Sequence, residues 1–343
     1  MTHTPQLDPV KLGLFVSRLE AVCEEMGAVL QRAAFSPNIK DRLDFSCAIF
    51  DAGGALCAQA AHIPVHLGSM AYAMADIVGA CDWSEGDMLV LNDPFLGGTH
   101  LPDVTVIAPY FLHGELLAFV VNRAHHADIG GSTPGSMPLS KSLDEEGVVI
   151  PPTLLQRNGV VQRHLLDEWF GEGEHGDFVA QLSANRCGLT RLAEVVEALP
   201  LPFPAAVTQL QAYAEQLAIS RLSELPAGEY RFQDLMDDDG FGHKNLTIEV
   251  LLSLGGGQAT VDFTGTSPQG QNNFNAPAAV CKAAVLYVFR TLVEDDIPMN
   301  EGCLKPIDII LPEDCMLNAR YPGAVIAGNV ETSQIVTDAL YGA

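Results

Sequence analysis

Behind Asp8 and Pro9, apolar residues fall at Leu12, Phe15, Val16, Leu19, Val22, Met26, Val29 and Leu30. Steps of three and four lay them along one stripe of a helix, and proline is tolerated at a first helical position. The pattern predicts a long amphipathic helix. Short apolar segments at 46–50 and 55–60 flank Asp51-Ala52-Gly53-Gly54, whose glycines supply the positive φ a hairpin needs. A second helix is expected over 69–80. Continuous apolar runs at 88–91, 104–111 and 116–121 read as buried strands, the last two joined at His113-Gly114. From 177 to 222 the pattern is helical, broken by Pro200, Pro202 and Pro204 as a helical hairpin beside the sheet would be. Strand periodicity returns over 228–265, where 245–254 and 258–263 flank Gly255-Gly256-Gly257. A helix over 277–293 and a strand near 307–311 close the pattern, and no repeat of fixed period is evident.

These elements predict an α/β fold of the α+β kind, with largely antiparallel or mixed sheets, packed helices and a helical insertion. The expected division is a first domain over 1–175 with the N-terminal helix, the hairpins and the candidate site, the insertion over 176–225, and a second α/β region over 226–343.

Composition narrows the function. The chain of 343 residues is 48% hydrophobic, enough for sizeable cores. Lys and Arg total 18 against 43 Asp and Glu, a formal charge of −25, so phosphate backbones and anionic membrane surfaces would be repelled. Nucleic acid and membrane are therefore excluded as expected partners. The segment MTHTPQLDP has no basic region followed by an apolar one, and no apolar stretch is long enough to span a bilayer, so a cytoplasmic location is expected. The eight cysteines form no C-x-x-C pair and read as reduced, buried small hydrophobes.

Polar residues that carry chemistry gather where the predicted strands end. His100 and Asp103 lie three apart on the loop entering one strand, and His125 follows the strand that returns. Antiparallel pairing would bring two imidazoles and a carboxylate to one end of the sheet. An isolated H-x-x-D is common by chance; the hairpin and the HH-x-D-x-G-G turn single this one out. Nitrogen and carboxylate donors suit Zn²⁺, Mn²⁺ or Fe²⁺ without choosing among them, and an exchangeable position would make the site catalytic. His126 and Asp128 are candidate catalytic groups that handle protons beside it. Gly130 and Gly131 would permit close approach of a substrate. The segment 38–46 reads either as a solvated connection or as the source of a further oxygen ligand, from Asp41 or Asp44. His62 and His66 bracket a proline before a helix, and His66 is a candidate substrate contact or a helix-entry packing residue. There is no Walker A loop, G-x-S-x-G, H-E-x-x-H or Rossmann fingerprint, so any ATP site is expected on another chain.

NIKDRLDFSCAIFD (38–51), HIPVHLGSM (62–70), NDPFLGGTHLPDVTV (92–106), NRAHHADIGG (122–131) and GNVETSQ (328–334) together resemble the hydantoinase B/oxoprolinase family. The resemblance implies a divided enzyme. ATP is held by an A-type subunit, which phosphorylates an amide or carbonyl oxygen, while the B-type subunit holds a divalent metal near the reacting carbonyl. It implies the ligands His100, Asp103 and His125, with an acidic residue at the position matching Asp41 and Asp44 as its rival. The implied activity is ATP-dependent hydrolysis of the C–N bond of a cyclic amide, a hydantoin or a lactam such as 5-oxoproline, within a hetero-oligomer. A ketone carboxylase subunit and a non-catalytic fragment are the alternatives. B-type subunits of the family continue beyond the GNVETSQ segment, whereas this chain ends at Gly342-Ala343, so the second region is expected to be incomplete.

Overall fold

The computed structural model describes residues 7–60, 63–79, 81–292 and 297–343. His62 and the expected helix ends at positions 80 and 293 lie outside the described residues. Helix α1 (Pro9–Ala33) starts where the pattern placed it: the Asp8 carboxylate accepts the Lys11 N–H at 2.9 Å, and Phe15, Leu19, Val22, Met26 and Leu30 form its buried stripe. After one turn, α2 (Pro37–Lys40), the chain enters β1 (Phe45–Asp51) and returns as β2 (Leu56–Gln59). Helix α3 (His66–Ile77) begins three residues ahead of its expected start, because His66 already belongs to its first turn.

Strands β3 (Met88–Leu91), β4 (Asp103–Leu112), β5 (Glu115–His125), β6 (Thr153–Arg157) and β7 (Val160–Val161) complete a seven-stranded sheet in the order β2-β1-β5-β4-β3-β6-β7, antiparallel throughout. Alternation sends Phe45, Cys47, Val104, Val106 and Ala124 to one face, where they join α1 in the largest core. Ala48, Phe50, Ile107, Phe119 and Val121 go to the other, under Met70 and Met74 of α3.

Helix α4 (Arg163–Phe170) precedes the long helices α5 (Gly176–Glu197) and α6 (Phe203–Leu222). Phe178, Leu182, Leu192, Phe203 and Leu210 of that pair belong to the same core as α1, so the helical stretch covers the first sheet. Helix α5 is also tied by buried amides. Gln181 Nε2 donates to Val104 O at 2.8 Å, Asn185 Nδ2 to Val106 O at 3.0 Å, and Asn122 Nδ2 to Asn185 Oδ1 at 2.8 Å. Each of these three buried amides thereby finds a partner.

The second sheet, β11-β10-β9-β8, is mixed. Strands β8 (Gly228–Asp238), β9 (Lys244–Gly255) and β10 (Gln258–Asp262) run antiparallel, and β11 (Ile307–Ile310) is parallel to β10. It shares a core with α7 (Ala278–Leu292) and α9 (Ser333–Gly342), while α8 (Glu301–Leu304) packs on α6. Helix α7 also touches the first sheet's α3 through Leu286, which joins the two halves. The architecture is the expected α/β type with antiparallel and mixed sheets. Among the described residues no helix is long and apolar enough to cross a membrane.

Candidate metal centre

Three adjacent strands end in one row. Asp103 opens β4 directly opposite His125, the last residue of β5, and the His125 N–H donates to Asp44 O at 3.0 Å, which extends the β1 register by one residue. Opposed residues in an antiparallel ladder share a face. Phe45, Ala124 and Val104 enter the first core, so Asp44, His125 and Asp103 project to the other side, toward α3. His100 reaches the row from the loop ahead of β4: its Nε2 lies 3.2 Å from Asp103 Oδ1 and 3.3 Å from His125 Nδ1. His125 Nδ1 is 3.1 Å from Asp103 Oδ1 and 3.8 Å from Asp44 Oδ2. The ligand atoms of His100, Asp103 and His125 all lie within 4.8 Å of one another, as do those of Asp44, His66 and Asp103.

Asp103 is the hub. It is 1% exposed and accepts the Thr99 hydroxyl at 2.6 Å, while His66 Nε2 stands 3.3 Å from its second oxygen. Burial pushes the carboxyl up, but the facing charges of His100 and His66 and the hydrogen bonds from His100 and His125 outweigh it and hold the group well below the usual carboxylate range. Burial likewise opposes charge on His100, yet Asp103 beside it and the contact with Ile326 O leave its pKa raised. Below the row, Arg123 is fully buried and donates to Thr105 Oγ1, Ser69 Oγ and Gly97 O at 2.7–2.8 Å. Burial lowers its pKa to about 10, with Asp103 acting against that fall.

The cluster is held from far along the chain. His100 Nδ1 is 3.1 Å from Ile326 O, and because a carbonyl only accepts, this nitrogen carries a proton and Nε2 is the nitrogen turned to the cluster. Ile326 is pinned by Glu146, whose carboxylate accepts the N–H groups of Val325 and Ile326 at 3.0 Å and the Ser140 hydroxyl at 2.7 Å. Asn329, in the turn Gly328–Thr332, places Nδ2 3.1 Å from His100 Nε2 and 3.4 Å from Asp103 Oδ2. Asn329, Glu146 and Thr99 were not singled out as site residues from the sequence.

The remaining candidates divide between two places. Asp41 is exposed at the end of α2 and belongs to neither ligand-atom group, whereas Asp44 belongs to the one with His66 and Asp103. Leu43 between them adopts φ 57°, and this left-handed turn sends the two carboxylates in different directions. His66 sits in the cluster, with Nδ1 3.0 Å from Ser46 Oγ, and Ser46 forms part of the wall of a cavity of about 690 Å³. His126, one residue past His125, turns to the opposite face. Its Nε2 donates to Gln181 Oε1 at 2.9 Å, its ring lies edge-on to Phe178, and burial lowers its pKa. Asp128 is exposed and accepts the Gly130 N–H at 2.8 Å. His126, Asp128 and Gly130 share a second cavity, of about 410 Å³, with Trp169, Phe170 and Phe178. Gly131 packs instead against Glu146 O and Ser136.

An ion at the cluster is compatible with four features. Two imidazoles and two carboxylates are donors of the right kind for a divalent transition metal. His100 passes its outer N–H to a carbonyl, as a liganding imidazole normally does. Three of the four are buried, Asp103 1% exposed, His100 2% and His125 9%, while the Asp44 side chain is 28% exposed and leaves the site one open side. One buried oxygen at the site, Asn329 Oδ1, has no hydrogen-bond partner.

The sequence profile of the Hydantoinase B/oxoprolinase family matches residues 8–343. The chain is 40% identical over 368 residues to 5-oxoprolinase 1 of Arabidopsis thaliana, an alignment that covers 96% of this chain and 29% of the relative. It is 31% identical over 353 residues to a Pseudomonas protein named for the B-type component of a D-/L-hydantoinase, covering 95% of this chain and 59% of that one. Among solved structures, the ATP-dependent caprolactamase of Pseudomonas jessenii superposes with a TM-score of 0.89 at 27% identity, over 98% of this chain and 60% of that one. The chain thus spans less than two thirds of the length of each of these relatives.

Proposed function

The chain belongs to the hydantoinase B/oxoprolinase family, and from that premise we propose that it is the metal-holding, B-type component of an ATP-dependent cyclic-amide hydrolase. Its substrate would be a hydantoin or lactam, and ATP would be bound by an A-type partner. The observation that carries this reading is the convergence of His100, Asp103, His125 and Asp44 at the end of the first sheet. These four side chains would hold a divalent ion, Zn²⁺, Mn²⁺ or Fe²⁺. When bound, such an ion polarises a carbonyl oxygen and lowers the pKa of a water in its open position.

The protein's own groups prepare that position. Ile326 O fixes the ring of His100 through Nδ1, so Nε2 faces the cluster without reorientation. His66 and Thr99 hold the second oxygen of Asp103, which leaves the first toward His100 and His125. Arg123 adds a buried positive charge that offsets the two carboxylates. Ser46 stands between His66 and the larger cavity, so a small cyclic amide held there would lie beside the cluster. His126 and Asp128 face the other cavity and have no part in this proposal. Amide resonance makes hydrolysis slow; phosphorylation of the amide oxygen on the partner would make its carbon electrophilic, and closure between the chains would keep that activated species from bulk water.

The test is reconstitution. Purified chain and A-type partner are mixed with ATP and, separately, 5-oxoproline, a hydantoin, caprolactam, or a ketone plus bicarbonate. The expected result is ring-opened product, with ATP hydrolysis dependent on one cyclic amide and on both chains. Productive ATP use with the ketone and none of the amides would overturn the hydrolase reading in favour of a carboxylase.

A further inference from the structure

We infer that Asn329 is an additional oxygen donor to the ion of the His100–Asp103–His125–Asp44 cluster, reached by a half-turn of its side-chain amide. The inference rests on the metal-holding reading above and adds to it a residue from a chain segment more than 200 positions away. Asn329 sits in the π-helical turn Gly328–Thr332 that leads into α9. Turns of this width are rare, and they recur at functional sites, where they aim one side chain out of the regular helical register.

The amide has an uneven environment. Asn329 is 8% exposed, and its Nδ2 faces His100 Nε2 at 3.1 Å and Asp103 Oδ2 at 3.4 Å, whereas Oδ1 is buried with no partner. An orphaned buried acceptor is costly and asks for a ligand or a purpose. His100 Nε2 supplies the purpose. Nδ1 is engaged with Ile326 O, so Nε2 is the nitrogen an ion would take, in place of any proton there. The group 3.1 Å from it then borders a cation, where an amide N–H is repelled and an amide carbonyl attracted. Oxygen and nitrogen of an asparagine amide occupy nearly the same space, so the half-turn needs no repacking. It turns the partnerless oxygen toward the ion as a neutral donor. The resulting set, two imidazole nitrogens with carboxylate and amide oxygens, suits a five- or six-coordinate Mn²⁺ or Fe²⁺ better than a four-coordinate Zn²⁺.

The experiment titrates Co²⁺ into the metal-stripped full chain and follows the d–d absorption of the ion, with Asn329→Leu and Asn329→Asp beside the wild type. The Leu variant is expected to bind Co²⁺ about ten- to a hundredfold more weakly, with stronger d–d bands because loss of a donor moves the ion toward tetrahedral geometry. The Asp variant keeps an oxygen donor and should retain tight binding and weak bands. A folded Leu variant with wild-type affinity and spectrum overturns the inference and leaves the metal reading standing. Failure of the wild type to bind Co²⁺ overturns both. Should the Leu variant not fold, the Asp variant decides: a ligating carboxylate must shift the wild-type spectrum, and an unchanged spectrum counts against Asn329 as a ligand.

Discussion

Replacing Asp103 with asparagine is expected to abolish divalent-metal binding and to cost the metal-free protein about 3 kcal/mol, a loss in the range seen when one partner of a buried ion pair is removed. The substitution keeps the shape of the side chain, removes its charge and turns one of its two accepting oxygens into a donor. Asp103 is 1% exposed and faces three imidazoles, so no other carboxylate at the site has as many partners. Metal affinity should fall by more than about a hundredfold, beyond the loss that removal of a mere supporting group produces.

The stability difference should also depend on pH. The Asp103 carboxyl is lowered in the folded chain, so its contribution is complete above the unfolded value of about 3.9 and is lost as pH falls through the folded one. The His100 imidazole is raised, so its contribution is complete below about 6.5 and is lost as pH rises through the folded value. The gap between wild type and Asp103→Asn is therefore widest between about pH 4 and 6.5 and narrows on both sides. Urea unfolding in the presence of a chelator, repeated across that range, measures it. A gap that does not vary with pH would show that the buried charges are not paired as described.

Gly328→Ala is expected to destabilise the chain by about 3 kcal/mol or more, at the upper end of the range for overpacking. A Cβ there would stand 1.9 Å from Asn275 O and 3.0 Å from the Ala276 Cα, both backbone atoms that no rotamer change can move aside. The Gly328 N–H donates to Asn273 O and Val325 O, so the whole segment would have to retreat. That retreat would carry Ile326 O away from His100 and Asn329 away from the cluster, weakening metal binding as well. Gly13→Ala is the control. It lies in α1 with nothing within 4 Å of the added carbon, and there alanine should stabilise by about 0.5–1 kcal/mol. Thermal unfolding of both variants measures the contrast. A Gly328→Ala protein as stable as wild type would contradict the close packing of residues 324–329 on 273–276.

Local signals were enough for the parts of the fold that depend on local chemistry. Helix α1 was legible because a cap, a proline and an apolar stripe agree, and the β4–β5 hairpin because two apolar runs flank a turn. That hairpin is also why the proximity of His100, Asp103 and His125 was legible, since its register leaves both strand ends in one place. Which of Asp41 and Asp44 approaches the cluster was not, because it turns on the left-handed backbone at Leu43, a bulky residue with no preference for it. The opposite orientation of His126 follows from strand alternation, which was legible in principle but was masked by grouping it with His125 as one motif. Glu146 and Asn329 carry no periodic or spacing signal. They reach the site through contacts spanning about 180 and 229 residues, which only the packing of the second region against the first brings about.

The central claim is that one divalent ion sits among His100, His125, Asp103 and Asp44. Diffraction from crystals of the full chain, purified without chelator and recorded on both sides of the absorption edges of zinc, iron and manganese, tests it most directly. The account predicts a single anomalous peak bounded by His100 Nε2, His125 Nδ1 and the two carboxylates. Density at that position with no anomalous signal at any of the three edges, or a peak only elsewhere in the molecule, would contradict it.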